Sequence, residues 1–109
     1  MTDILKVLGQ GYPAAATDTL LYTAPALSSV TVSTLVLCNK SVSQITFRVR
    51  VQVSGDGILD KQYLFYDAPL GANSTLTITL GITLAEADGI YIYTSALGLS
   101  ANMFGVETV

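Results

Sequence analysis

Residues 43–53 read Ser-Gln-Ile-Thr-Phe-Arg-Val-Arg-Val-Gln-Val, and no other stretch limits the possible folds so strongly. Ile45, Phe47, Val49, Val51 and Val53 share one parity, while Gln44, Thr46, Arg48, Arg50 and Gln52 share the other. Side chains of a β-strand point alternately to opposite faces, so this segment has one apolar wall and one polar wall. Wound as a helix, the same residues would scatter the valines around the cylinder. The spacing predicts a long, central, half-buried strand.

The rest of the chain repeats this signal in shorter pieces. Residues 19–23 (Thr-Leu-Leu-Tyr-Thr) predict a strand closed by Ala24-Pro25-Ala26. Residues 29–38 predict the next, beginning in alternation and ending in the apolar run Leu35-Val36-Leu37-Cys38, which implies cover on both faces at that end. Asn39-Lys40-Ser41 turns the chain into the organising strand. Further strands are predicted over 61–67, where Ala68-Pro69-Leu70-Gly71 closes the segment, over 74–80, 89–95 and 99–106. In 74–80 the residues Leu76, Ile78 and Leu80 face inward and Thr75, Thr77 and Thr79 outward; threonine suits a pleated surface and solvates it without charge. Between 81 and 88, Leu84 is expected to plug one end of the core. Seven or eight short strands, turn signals every eight to twelve residues and no helical period predict an all-β fold. The expected architecture is a single antiparallel β-sandwich, jelly-roll or immunoglobulin-like in strand order.

Before the first of these strands, Ile4, Leu5, Val7 and Leu8 form an apolar opening that meets Gly9-Gln10-Gly11-Tyr12-Pro13. Glycine and proline at this density break regular elements, so residues 1–12 are expected to form an N-terminal arm or edge strand. Residues 13–109 are expected to form the sandwich domain. At 109 residues one domain with a core is expected.

Charge and residue inventory exclude several kinds of work. Only 12% of residues are charged against 50% apolar, which suits a surface covered by other chains or solvated by Thr and Ser. A net charge of −3 with five scattered basic residues argues against nucleic acid. No apolar run reaches 18 residues, and the acidic Met-Thr-Asp start is unlike a signal peptide, so no membrane partner is expected. With no histidine, Ser–His and Cys–His nucleophile pairs are ruled out. The single Cys38 supplies neither an internal disulfide nor a zinc ligand set, and it reads as a small core residue.

Asp56, within a Gly-Asp-Gly turn, and Asp60 flank a loop, and Glu86 and Asp88 precede a strand; both pairs read as solvated turn carboxylates rather than a catalytic pair or a calcium loop. Gly9-Gln10-Gly11 lacks the third glycine and the helix of a phosphate cradle. The expectation is a non-enzyme with no cofactor and no metal.

Two residue sets remain as candidates for contact with partners, together with the apolar opening. Arg48 and Arg50 share the polar face of the organising strand. They would either pair across to carboxylates such as Asp67 or meet a partner's carboxylates, where bidentate geometry is specific. Tyr63, Tyr66, Tyr91 and Tyr93 offer large rigid area with a polar tip, as interfaces favour, although tyrosine is also frequent in strands. By parity, at least one of each pair should face outward.

Several segments together resemble small virion proteins of tailed bacteriophages, including cyanophages. They are Leu20-Leu21-Tyr22-Thr23-Ala24-Pro25, Leu37-Cys38-Asn39-Lys40-Ser41, Lys61-Gln62-Tyr63 with Tyr66-Asp67-Ala68-Pro69, Leu80-Gly81-Ile82-Thr83-Leu84, and residues 99–105 (Leu-Ser-Ala-Asn-Met-Phe-Gly). The resemblance spans roughly residues 5–107 and rests on turn and strand signatures. Where that family usually has glycine after the Ala24-Pro25 turn, this chain has Ala26-Leu27. The resemblance implies a structural protein of the virion, assembled in the host cytoplasm. Its leading form is a capsid decoration (cement) protein that binds the major capsid protein or other virion proteins, as a homo-oligomer with a trimer favoured. A tail, neck or baseplate component is the alternative, and a receptor- or carbohydrate-binding module is a third reading from a different class.

Overall fold

The computed structural model describes residues 2–109. Among these residues nine strands form two antiparallel sheets packed face to face. They are β1 (Asp3–Gly11), β2 (Thr19–Thr23), β3 (Ser29–Asn39), β4 (Ile45–Gln52), β5 (Tyr63–Leu70), β6 (Thr75–Ile78), β7 (Ile82–Leu84), β8 (Gly89–Thr94) and β9 (Leu99–Thr108). The larger sheet runs β1-β9-β3-β6, with β7 also on β3, and the smaller runs β2-β8-β4-β5. First pairs with last, second with second-last, and β4 with β5 at the centre. This nested winding is that of a jelly roll, which decides between the two strand orders left open above.

The organising strand forms where expected, as β4, and Ile45, Phe47 and Val49 fill the space between the sheets. Ile90, Ile92, Leu35, Leu37, Leu84, Leu99 and Met103 complete that core. Fully burying each such side chain contributes on the order of 1.5–3 kcal/mol, so this apolar parity holds the sheets together. Asn39, fully buried at the end of β3, donates from Nδ2 to the carbonyls of Ser43, Leu70 and Gly71 at 2.9–3.1 Å. Its Oδ1 accepts from the Ser41 amide at 2.9 Å. One side chain thereby fixes the β3–β4 turn against the end of β5.

Five expectations need correction, the first because one strand gains a residue over its partners. The run Leu35-Val36-Leu37-Cys38 is not covered on both faces: Leu35 and Leu37 are buried, while Val36 and Cys38 are only partly so. The register shifts between Val32 and Thr34, so the inward parity passes from Val30 and Val32 to Leu35 and Leu37. An extra residue flips every later side chain to the other face. Cys38 therefore lies on the outer face beside Thr75 and Ser100, not in the core.

The second correction concerns residues 9–11. Gly9 and Gly11 do not end the first strand; β1 continues through them as the edge of the larger sheet. A Cβ on Gly9 would stand 2.6 Å from the Leu21 carbonyl oxygen, so glycine here permits close approach of the two sheets rather than a break. Third, Ala68-Pro69-Leu70 belongs to β5 and does not close it, whereas Lys61 and Gln62 lie in a short 3₁₀ turn, Asp60–Gln62. Proline is tolerated because β5 is an edge strand. Fourth, the segment 74–80 is shorter than expected, and β7 resumes the pairing along β3, with Leu84 buried against the core. Fifth, Val53 lies beyond the end of β4 and is exposed.

Leu27, at the turn where the resembling family has glycine, adopts φ 60° and is 87% exposed. A side chain in this left-handed region is strained by its Cβ.

Candidate functional site

The two outer faces of the sandwich differ in chemistry. On the smaller sheet, antiparallel register sets Arg48 opposite Tyr93, and Arg50 opposite both Tyr91 and Tyr63. β5 carries extra residues twice: Arg48 faces both Tyr66 and Asp67, and Leu64 is extra between the next pairs. These irregularities bring Tyr63 and Tyr66, which alternation would send to opposite faces, into edge-to-face contact at 4.9 Å. Arg48, Arg50 and the four tyrosines thus share one face, a convergence that strand parity alone did not reveal.

The arginines on this face are largely satisfied within the chain. The Arg48 guanidinium lies 4.2 Å from the Tyr66 ring centre and 4.3 Å from that of Tyr93. Its Nε and Nη2 donate to the two carboxylate oxygens of Asp67 at 2.7 and 3.3 Å. That hydrogen bonding raises the Arg48 pKa beyond its ordinary value. Of the two readings left open for Arg48, the structure shows pairing with Asp67.

Arg50 departs from the solvated role its parity implied, for it is only 2% exposed. It lies 3.9 Å over the Tyr91 ring and donates to Asp18 through Nη2 at 2.5 Å and Nε at 3.2 Å. Its Nη1 donates to Gln52 at 2.6 Å and to Gln62 at 2.8 Å. Gln62, also buried, donates in turn to the Gly57 carbonyl at 2.7 Å. A guanidinium taken from water needs nearly all its donors matched, and here four partners surround it. Asp18, Gln52 and Gln62 were missed at the sequence level; Asp18 and Gln62 lie in other segments, and no local pattern connects them to Arg50.

Beside this network Asp60, Tyr63 and Tyr66 line an open depression of about 360 Å³. Tyr66 is 59% exposed. Among the described residues no three Cys, Asp or Glu side chains converge as a metal-binding group.

The outer face of the larger sheet carries a different surface. Register aligns Leu5 with Val106 and Thr31, Val7 with Phe104 and Thr34, and Val36 with Asn102 and Thr77. Those cross-strand rows contain no charged residue, and Leu5, Val7 and Phe104 are exposed. Of the apolar opening, then, Leu5 and Val7 lie on this face, and Leu8 is buried in the core. Ile4 shares the row of Glu107, which points the other way, between the sheets, and accepts hydrogen bonds from Tyr22 Oη and, at 3.3 Å, from Lys6 Nζ. The Tyr22 bond, ahead of the contribution from Lys6, holds the Glu107 carboxyl below the usual range despite its burial; burial and Glu107 push the Tyr22 hydroxyl up.

No protein-family model matches the sequence, and no curated protein matches it. Among solved structures, a chain in a structure of infectious bursal disease virus, Gx strain, is similar with a TM-score of 0.54 and 17% identity. The match covers 97% of this chain and 30% of that chain, so this chain spans less than a third of its neighbour's length. At that identity the similarity establishes the fold: this β-sandwich also occurs within a viral structure.

Proposed function

We propose that this protein is a structural component of a virion, and that its role is capsid decoration: binding the assembled head shell through protein–protein contacts. The observation that carries the reading is the charge-poor outer face of the larger sheet, built on β1, β9 and β3 with β6 and β7, whose central rows lack charge and whose end row carries Asp3 beside Thr108. Four strand widths at about 4.8 Å and some ten residues at about 3.3 Å each give a face of roughly 600 Å². A standard interface takes about 800 Å² from each partner, so this face supplies most of one side. Exposed Leu5, Val7 and Phe104 next to threonines match the charge-poor centre of such contacts. The jelly-roll fold and the viral neighbour support the reading without specifying it, since one fold serves several functions. The partner we propose is the major capsid protein, with the protein acting as a homo-oligomer, a trimer by preference, whose working location is the virion.

A tail or baseplate position would use the same face, and cryo-microscopy of particles carrying the labelled protein separates the two. Density on the head lattice is the expected result; density confined to the tail replaces decoration with the alternative. Phe104→Glu and Val36→Glu should abolish particle binding while leaving the fold intact by circular dichroism. Full retention of binding in both variants would remove the face from the proposal.

A further inference from the structure

We infer that the depression formed by Asp60, Tyr63 and Tyr66 is a cation site that receives a lysine or arginine side chain from a partner protein. The inference deepens the assembly reading above by naming a second contact, on the opposite face. Tyr63 and Tyr66 meet at an interplanar angle of 87°, so their rings make a corner instead of a flat platform. One side of Tyr66 is already covered by Arg48 at 4.2 Å. A sugar ring stacks best on an open, flat aromatic face. A compact cation fits a corner, where it meets the negative π-face of one ring while a carboxylate completes the third wall.

Charge complementarity points the same way. Asp67 is neutralised by Arg48 and Asp18 by Arg50. Among the described residues no lysine or arginine nitrogen lies within ion-pairing distance of Asp60, even though Lys61 follows it in sequence. The corner therefore retains an uncompensated carboxylate on a chain of net charge −3.

The third wall is also held in place. Asp60 opens the 3₁₀ turn whose last residue, Gln62, is buried and bonded to Arg50 and Gly57. The Gln62 amide donates to the Leu59 carbonyl at 3.1 Å. The backbone that carries Asp60 therefore needs little ordering when a ligand enters, which favours binding. A volume of about 360 Å³ exceeds one basic side chain and leaves room for its aliphatic stem along the rings.

The test is a titration of the whole protein followed by the ring proton shifts of Tyr63 and Tyr66. The probes are acetyl-lysine amide, acetyl-arginine amide, the uncharged acetyl-norleucine amide, and free glucose and galactose. Saturable shifts are expected with both cationic amides, and binding of the norleucine amide should be several-fold weaker. Asp60→Asn should weaken the cationic amides about fivefold, the scale of an exposed ion pair. Equal binding of the norleucine amide, saturable binding of a sugar, or shifts with no probe would each overturn the inference. These results are independent of the sheet-face variants, so failure here leaves the decoration reading to its own particle-binding assay.

Discussion

Replacing Asp18 tests the buried arginine network most directly. Arg50 is 2% exposed, and Asp18 is its sole carboxylate partner among the described residues, at 2.5 Å from Nη2 and 3.2 Å from Nε. Breaking a buried ion pair by removing one member costs about 3–5 kcal/mol, because the remaining charge is stranded. Two features reduce that here. The Asp18 side chain is 31% exposed, and Arg50 keeps the Gln52 and Gln62 acceptors at 2.6 and 2.8 Å. Asp18→Asn, which retains one acceptor oxygen, should therefore destabilise the fold by about 2 kcal/mol, between a lost charged hydrogen bond and a fully broken pair. At this chain length each kcal/mol is worth about 4 °C, so Tm should fall by about 8 °C. Urea unfolding should show a lower midpoint with an unchanged slope. Pairing Asp18→Asn with Arg50→Met should cost less than the sum of the single changes, with coupling of about 1–2 kcal/mol, since the double variant strands no charge. A single-variant loss under about 0.5 kcal/mol, or additive effects, would show that Arg50 is not the buried charge described above.

Gly105→Ala should destabilise by about 3 kcal/mol or more in the same urea assay, as its Cβ would stand 2.2 Å from the Thr31 carbonyl oxygen and 3.0 Å from the Val32 Cα. Leu27→Gly should stabilise by about 0.5–1 kcal/mol, because it relieves a left-handed φ of 60° at an exposed turn that makes no core contact. Glu107 contributes stability above its ordinary carboxylate value of 4.5, and that contribution is lost as pH falls through its lower folded-state value. Acid unfolding of the native protein should accordingly be steeper below about pH 4.5 than that of Tyr22→Phe, in which the leading cause of the depression is gone. Cys38, partly buried on the charge-poor face, should alkylate in the free protein and be protected on particles; equal rates in both states would argue against contact there.

Much of the candidate surface could be listed from the sequence but not assembled from it. The pairing of Arg48 with Asp67 was one of two readings the sequence left open, the other being a partner's carboxylates. The burial of Arg50 was not anticipated, since nothing near it in sequence distinguishes it from Arg48. Its burial comes from Asp18, Gln62 and Tyr91, which reach it from the segment before β2, the 3₁₀ turn and β8. The contact of Tyr63 with Tyr66 contradicts simple alternation and exists because β5 is irregular opposite Arg48, with Asp67 at φ 51°. Cys38 was misplaced for a related reason, the extra residue near Ser33 that inverts the rest of β3.

Alternation of apolar and polar residues is a local property, which is why the chain alone declares itself a stack of half-buried strands around Phe47, Val49 and Ile92. Its inventory alone likewise withholds histidine chemistry and an internal disulfide. Register, bulges and lateral neighbours depend on residues far apart in the sequence. Only the folded sandwich could therefore wind the strands as a jelly roll, bury Arg50, and gather the uncharged rows of β1, β9 and β3 into one surface. Which strand lies beside which is settled by packing across the whole domain, because pairing free energies between distant segments outweigh any single segment's preference.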